Sequence, residues 1–240
     1  MFTKFAHNMA LLNSESSSVP GEEMSDDEAY VLPADTMLIL QQFLQEKELK
    51  ERSEKAGAEP EGCFEENWQL SQFWYNEETK QKLAFIVRKL QEQNGSDTFR
   101  VALLSAPSAF KHVVNENKQA MLFEFDERFA SYGDNFQQYD YNKAFDPEYM
   151  DAYADQFDLI IADPPFLSEE CIEKIGAIVT KITKQNAKVI LCSGAVVQEW
   201  AKEHLGVSLC QFRPEHERNL GNEFCSYANF DLDDILNKGC

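Results

Sequence analysis

Residues 157–170 read FDLIIADPPFLSEE. The first six are apolar in five positions and suit a buried strand. The run then halts on Asp163, Pro164, Pro165 and Phe166. Proline lacks a backbone N–H and cannot continue a central strand. The tetrad therefore marks a strand end. Two readings of it stand. The prolines only break the strand and Phe166 is core, or the four residues form a stiff notch that grips a substrate nitrogen.

The neighbouring segments carry the same rhythm. FRVALLSAPS (99–108) predicts a strand and a turn, AMLFEFD (120–126) a strand ending at Asp126, and FQQYDYN (136–142) a short strand around Asp140. AKVILCSG (187–194) predicts another strand, after a helix capped by Ser168 with Glu169 and Glu170 in its first turn. A helix is expected over about 195–205, ended by Gly206. VSLCQFRP (207–214) and EFCSYANF (223–230) close the chain as two strands with a short connection. Strands alternating with helices imply a parallel sheet covered on both faces, an α/β fold. The last two strands lack an intervening helix, so one of them runs antiparallel.

Towards the N-terminus, residues 1–30 mix Ser, Glu, Asp and Pro without period and are expected to be a disordered acidic tail. Residues 31–62 hold a helix with Met37, Leu40, Phe43 and Leu44 on one side, then a charged linker. Residues 63–240 form the main domain. It opens with EENWQLSQFWY (65–75), where Trp68, Phe73 and Trp74 alternate with polar residues such as Gln72. Anchoring on the core and lining a cleft are both open to them. Asn76 caps a helix whose apolar face is Leu83, Ile86, Val87 and Leu90, ending near Gly95.

The chain has 240 residues, of which 42 are acidic and 22 basic, giving a formal net charge of -20. That surface is poor for nucleic acid, which needs clustered Lys and Arg. A basic partner is steered towards it instead. Six cysteines form no CxxC pair, and the four histidines do not cluster. A reducing compartment follows, without disulfides or metal. No apolar run approaches the roughly 20 residues of a membrane span. Cytoplasm is the expected location.

In an open α/β sheet the ligand sits at the carboxyl ends of the strands. The Ser105-Ala106-Pro107-Ser108 turn offers backbone amides to a carboxylate. Asp126 suits ribose hydroxyls, with Glu124 competing for that place, and Asp140, followed by Tyr141, suits an adenine amino group. Neither a GxGxxG nor a P-loop pattern is present, against nicotinamide and nucleoside triphosphate chemistry. A ligand with a carboxylate, a ribose, an adenine and a positive charge fits. S-adenosylmethionine has all four. Asp163 and the Pro164 carbonyl then orient the acceptor amine, and Phe166 stacks on a flat base or lies against an alkylammonium. A lysine amine, of free pKa about 10.4, must shed a proton first. An aromatic wall favours that loss, whereas the Asp163 charge opposes it.

A [DN]PP[FY] tetrad after an apolar strand resembles class I S-adenosylmethionine-dependent methyltransferases that modify nitrogens. EENWQLSQFWY, SAPS, FEFDERFASYG, YDYN, IIADPPFLSEEC, LCSGA and RNLGNEF together resemble the elongation factor 1-alpha lysine methyltransferase family, formerly labelled N6-adenine methyltransferases. The resemblance runs from about Met24 to Tyr227. It implies a Rossmann-like sheet of seven strands and S-adenosylmethionine as donor. It also implies a lysine of elongation factor 1-alpha as acceptor. Independently of the resemblance, no nucleic acid or membrane partner is expected, and a monomer is expected. It places Asp163, Pro164, Pro165 and Phe166 at the acceptor amine. The Ser105–Ser108 turn falls where related enzymes have a glycine-rich loop, yet contains no glycine. Asn219, Asn222 and Glu223 in RNLGNEF border the acceptor cleft on this reading, or form a hairpin turn. An N6-adenine methyltransferase and a non-catalytic module that keeps the fold are the alternatives.

Overall fold

A computed structural model describes residues 64–67, 70–94, 98–218 and 223–238. The chain divides into two units, Met1–Ala58 and Glu59–Cys240. Every described residue lies in the second, so the expected tail and the helix and linker over 1–62 lie outside the described residues, as do Trp68, Asn219 and Asn222.

Helix α1 (Glu77–Asn94) begins where Asn76 Oδ1 accepts the Thr79 N–H at 2.9 Å. Its buried stripe includes Leu83, Ile86, Val87 and Leu90, the spacing of one helical face. The order is then β1 (Val101–Leu104), α2 (Pro107–Glu116), β2 (Met121–Glu124), β3 (Phe136–Gln138), β4 (Phe157–Ala162), α3 (Glu169–Ile182) and β5 (Thr183–Gly194). After these come α4 (Gln198–Leu205), β6 (Ser208–Leu209), β7 (Phe224–Ala228) and α5 (Leu232–Asn237). A 3₁₀ segment, Glu127–Asn135, joins β2 to β3. Pro107 opens α2, where its missing N–H costs nothing. The Ser168 hydroxyl accepts the Cys171 N–H at 3.3 Å and starts α3. Gly206 ends α4 at φ +65°, a left-handed position that other residues resist.

The strands form one seven-stranded sheet in the order β3-β2-β1-β4-β5-β7-β6. All neighbours pair in parallel except at β7, which runs antiparallel to both β5 and β6. This is the class I methyltransferase sheet expected above. Its strand order reverses between β1 and β4, where Leu104 lies opposite Ala162. Side chains alternate between two cores. Val101, Leu103, Leu159 and Ile161 face α1 and α2, while Ala102, Leu104, Ile160 and Ala162 face α3. Both faces of β4 are thus buried, which explains the near-continuous apolar run.

Three features depart from the sequence reading. Strand β6 has only two residues, Ser208–Leu209, so the strand expected over 207–214 ends early and residues 210–218 lie outside any strand. The helix expected over about 195–205 starts as a 3₁₀ turn at Ala195–Val197. Helix α5 was not expected. It begins where Asp231 Oδ1 accepts the Asp234 N–H at 2.9 Å, and it buries Leu232 and Ile235 on the α1 side of the sheet.

Candidate active site

The crevice above β1 and β4 collects the polar residues that end these strands. The Asp163 N–H donates to the Leu104 carbonyl at 2.9 Å, which ties the tetrad to the end of β1. Asp163 Oδ2 accepts the Tyr75 hydroxyl at 2.6 Å. Its Oδ1 accepts nothing from the described residues, and the residue is half-buried. The Pro164 carbonyl is likewise without a donor among the described residues. Pro164 is buried and Pro165 half-buried. The Phe166 ring is 49% exposed, and its centroid lies 6.3 Å from that of Tyr141. A free carboxylate oxygen, a free carbonyl and an open aromatic face therefore adjoin one another along the chain.

Burial raises the Asp163 carboxyl, the Tyr75 hydrogen bond partly offsets this, and the Glu124 charge adds to the rise. The result is about 7. Glu124, the last residue of β2, is also pushed up to about 7, chiefly by burial. Its Oε1 accepts the N–H groups of Phe125 at 3.0 Å and Asp126 at 3.3 Å, and Gln72 Nε2 at 3.4 Å. Its Oε2 has no donor among the described residues.

Both oxygens of Asp126 are engaged by contrast. Oδ1 accepts the Arg128 N–H at 3.0 Å, and Oδ2 accepts Arg128 Nε at 2.9 Å and Gln72 Nε2 at 3.2 Å. Burial raises its carboxyl, but the bonds and charge of Arg128 outweigh that and hold it below the ordinary range. Asp140 follows β3 and caps a short 3₁₀ turn, Oδ1 accepting the Asn142 N–H at 2.9 Å. The Tyr141 ring carries Lys174 Nζ at 5.7 Å from its centroid.

In the turn after β1, Ser105 adopts φ +53°, and its N–H donates to the Phe123 carbonyl at 2.9 Å. Ala106 and Pro107 are buried. Ser108 Oγ accepts the Tyr75 N–H at 3.4 Å.

The aromatic run splits between two places. Trp74 Nε1 donates to the Phe64 carbonyl at 2.8 Å, and its ring meets Phe129 edge-on at 6.4 Å, part of a packing cluster with Tyr132. Gln72 spans Glu124, Asp126 and Arg128 at the end of β2. Phe73 is half-buried. Glu223 is exposed, and its carbonyl accepts the Ala195 N–H at 2.9 Å.

The sequence reading took Tyr75 only as one ring of the aromatic run and gave His216 and Cys192 no role at the site. Tyr75 has no exposed surface. Its backbone bridges to His216, and the two rings lie 5.0 Å apart. Burial lowers the His216 imidazole to about 4 despite the opposing Glu66 charge, so it is neutral at physiological pH. Cys192 is fully buried beside Tyr75, and burial pushes its thiol up. The only sequence signal was that Tyr75 ends the aromatic run and abuts the Asn76 cap.

A family model described as probable N6-adenine methyltransferase matches residues 66–232. A protein-lysine N-methyltransferase of Drosophila melanogaster is 48% identical over 221 residues, covering 88% of this chain and 98% of the other. EEF1A lysine methyltransferase 1 of Homo sapiens is 42% identical over 213 residues, covering 87% and 96%. The chain belongs to the EEF1A lysine methyltransferase 1 family. The resemblance carried by the seven motifs is thereby borne out. Members of the EEF1A lysine methyltransferase 1 family are methyltransferases by name, and S-adenosylmethionine is the donor expected from the sequence. The described residues fit that donor. Glu124 offers an unpartnered carboxylate oxygen at the end of β2, the place where a ribose is held in this kind of sheet.

Proposed function

We propose that this chain is a protein-lysine N-methyltransferase acting on a lysine of translation elongation factor 1-alpha. The free Asp163 Oδ1 beside the undonated Pro164 carbonyl carries this reading. Two acceptors on a stiff backbone can hold the hydrogens of one amine and so aim its lone pair. The open Phe166 face accommodates the alkyl chain or its charge. S-adenosylmethionine, when bound, supplies a methyl group on a positively charged sulfur, which a neutral amine can take. Asp163, at about 7, can receive a proton from the amine near neutral pH and pass it to water.

Glu124 rather than Asp126 is the residue assigned to the ribose, because both Asp126 oxygens are already occupied. The Ser105–Ser108 turn and Asp140 flank the same ligand. A protein acceptor is supported by exposed apolar side chains. Phe125, Phe166, Leu167 and Val196 all lie within about five residues of a strand's carboxyl end, a rim suited to docking. The net charge of -20 favours a basic partner. The family model's description keeps an adenine acceptor as the second reading. The same charge opposes it, because phosphates are held by Lys and Arg.

The chain acts as a monomer in the cytoplasm on this view. The four cysteines among the described residues are free thiols, as a reducing compartment keeps them. No helix among the described residues is long and apolar enough to cross a membrane. The test is mass spectrometry of purified elongation factor 1-alpha after incubation with the enzyme and isotope-labelled donor. The expected result is label on one lysine. Label confined to nuclease-sensitive material of a lysate would overturn the reading. Asp163→Ala should lower turnover by roughly 100-fold while leaving donor affinity nearly unchanged.

A further inference from the structure

We propose that Tyr75 is a positioning residue for methyl transfer: its hydroxyl pins one oxygen of Asp163 so that the other faces the acceptor amine. The proposal rests on the reading of Asp163 given above. Tyr75 and Asp163 are 88 positions apart, yet the phenol reaches Oδ2 at 2.6 Å. That length belongs to a strong O–H···O⁻ bond. A carboxylate held by one oxygen loses its rotation and offers a defined lone pair on the other.

The tyrosine itself has no freedom to drift. Its ring is fully buried, tilted against His216 at 5.0 Å and edge-on to Phe224 at 6.5 Å. Its N–H donates to Ser108 Oγ at 3.4 Å, in the turn after β1. The flanking backbone is laced to the segment before β7. The Asn76 N–H donates to the Glu215 carbonyl at 2.8 Å, and the Glu217 N–H to the Trp74 carbonyl at 2.8 Å. Tyr75 thus sits where three parts of the site meet: the turn after β1, the Asp163 tetrad and residues 215–217.

The hydroxyl also sets when Asp163 can act. Glu124 and Cys192 are the other titratable groups that bear on the carboxyl, and neutral His216 lies tilted against the phenol ring. Burial and the Glu124 charge raise Asp163, while the bond from Tyr75 lowers it. Removing that donor leaves only the raising influences, so the carboxylate form appears at higher pH. A residue that merely filled space would leave the pH at which Asp163 ionises unchanged.

The experiment compares turnover against pH for the wild-type enzyme, Tyr75→Phe and Asp163→Asn, with elongation factor 1-alpha as acceptor. Phenylalanine keeps the ring and deletes the hydroxyl. Tyr75→Phe should lower kcat roughly tenfold and move the acid limb of kcat upward by about one pH unit, with donor affinity by calorimetry unchanged. Should that variant fold poorly, 3-fluorotyrosine at position 75 gives the converse. Its more acidic phenol donates more strongly, so the acid limb moves downward. An acid limb that stays in place in both variants, while Asp163→Asn abolishes turnover, overturns the role of Tyr75 and leaves Asp163 standing. Wild-type turnover in Asp163→Asn would instead remove the reading of the tetrad, and the inference with it.

Discussion

Glu124 combines a buried carboxyl with an oxygen left open to ligand, and the two properties conflict in the absence of donor. Its folded value is about 7, against an ordinary 4.5. The folded apoprotein therefore keeps a proton that the unfolded chain releases, and the resulting stability is present below the unfolded value and lost as pH rises through about 7. Glu124→Gln removes that titration. The variant should match wild type at about pH 5 and exceed it by on the order of 2 kcal/mol at about pH 8, read from denaturant melts without donor. The same substitution should weaken S-adenosylmethionine binding, measured calorimetrically, by roughly tenfold or more. Sequence placed acids at the strand ends because a charged residue closing an apolar run is a local signal. It did not separate Glu124 from Asp126, because the distinction lies in which carboxylate Arg128 and Gln72 satisfy. Tyr75 was illegible for a related reason: a bond spanning 88 positions leaves no trace in spacing.

Among the elements, those with a full local pattern were readable. Helix α1 had its Asn76 cap and its apolar stripe, and β4 had the run and the prolines that stop it. Residues 210–218 were not, because tertiary bonds hold them: Ser226 Oγ donates to the Phe212 carbonyl, the Glu215 N–H to Thr79 Oγ1, and the N–H groups of Gln211 and Phe212 to the Asp233 carboxylate. Helix packing supplies a prediction at this scale. Gly176 lies in α3 against the end of α4, where an added Cβ would stand 2.5 Å from the His204 carbonyl oxygen. Backbone cannot yield as a flexible side chain does. Gly176→Ala should push the two helices apart and cost about 1–3 kcal/mol in denaturant unfolding. Activity per folded molecule should be kept, since Gly176 lies in the α3 core away from the strand ends.

At the scale of the whole molecule the dominant quantity is charge. A net -20 on 240 residues produces a field that a small electroneutral region cannot cancel. The donor is small and is held by groups within the crevice, where screening is weak. A protein acceptor meets the outer surface, where it is strong. Added salt should therefore separate the two substrates. Raising ionic strength from about 0.05 M to about 0.5 M shortens the screening length severalfold, so KM for elongation factor 1-alpha should rise roughly tenfold. Over the same range KM for S-adenosylmethionine should change by less than about twofold. Steady-state kinetics with each substrate varied in turn would decide the matter. A KM for the protein that ignored salt would mean that the apolar rim of Phe125, Phe166, Leu167 and Val196, rather than the acidic surface, governs docking. Substituting two of those side chains by serine would then be expected to raise that KM where salt does not.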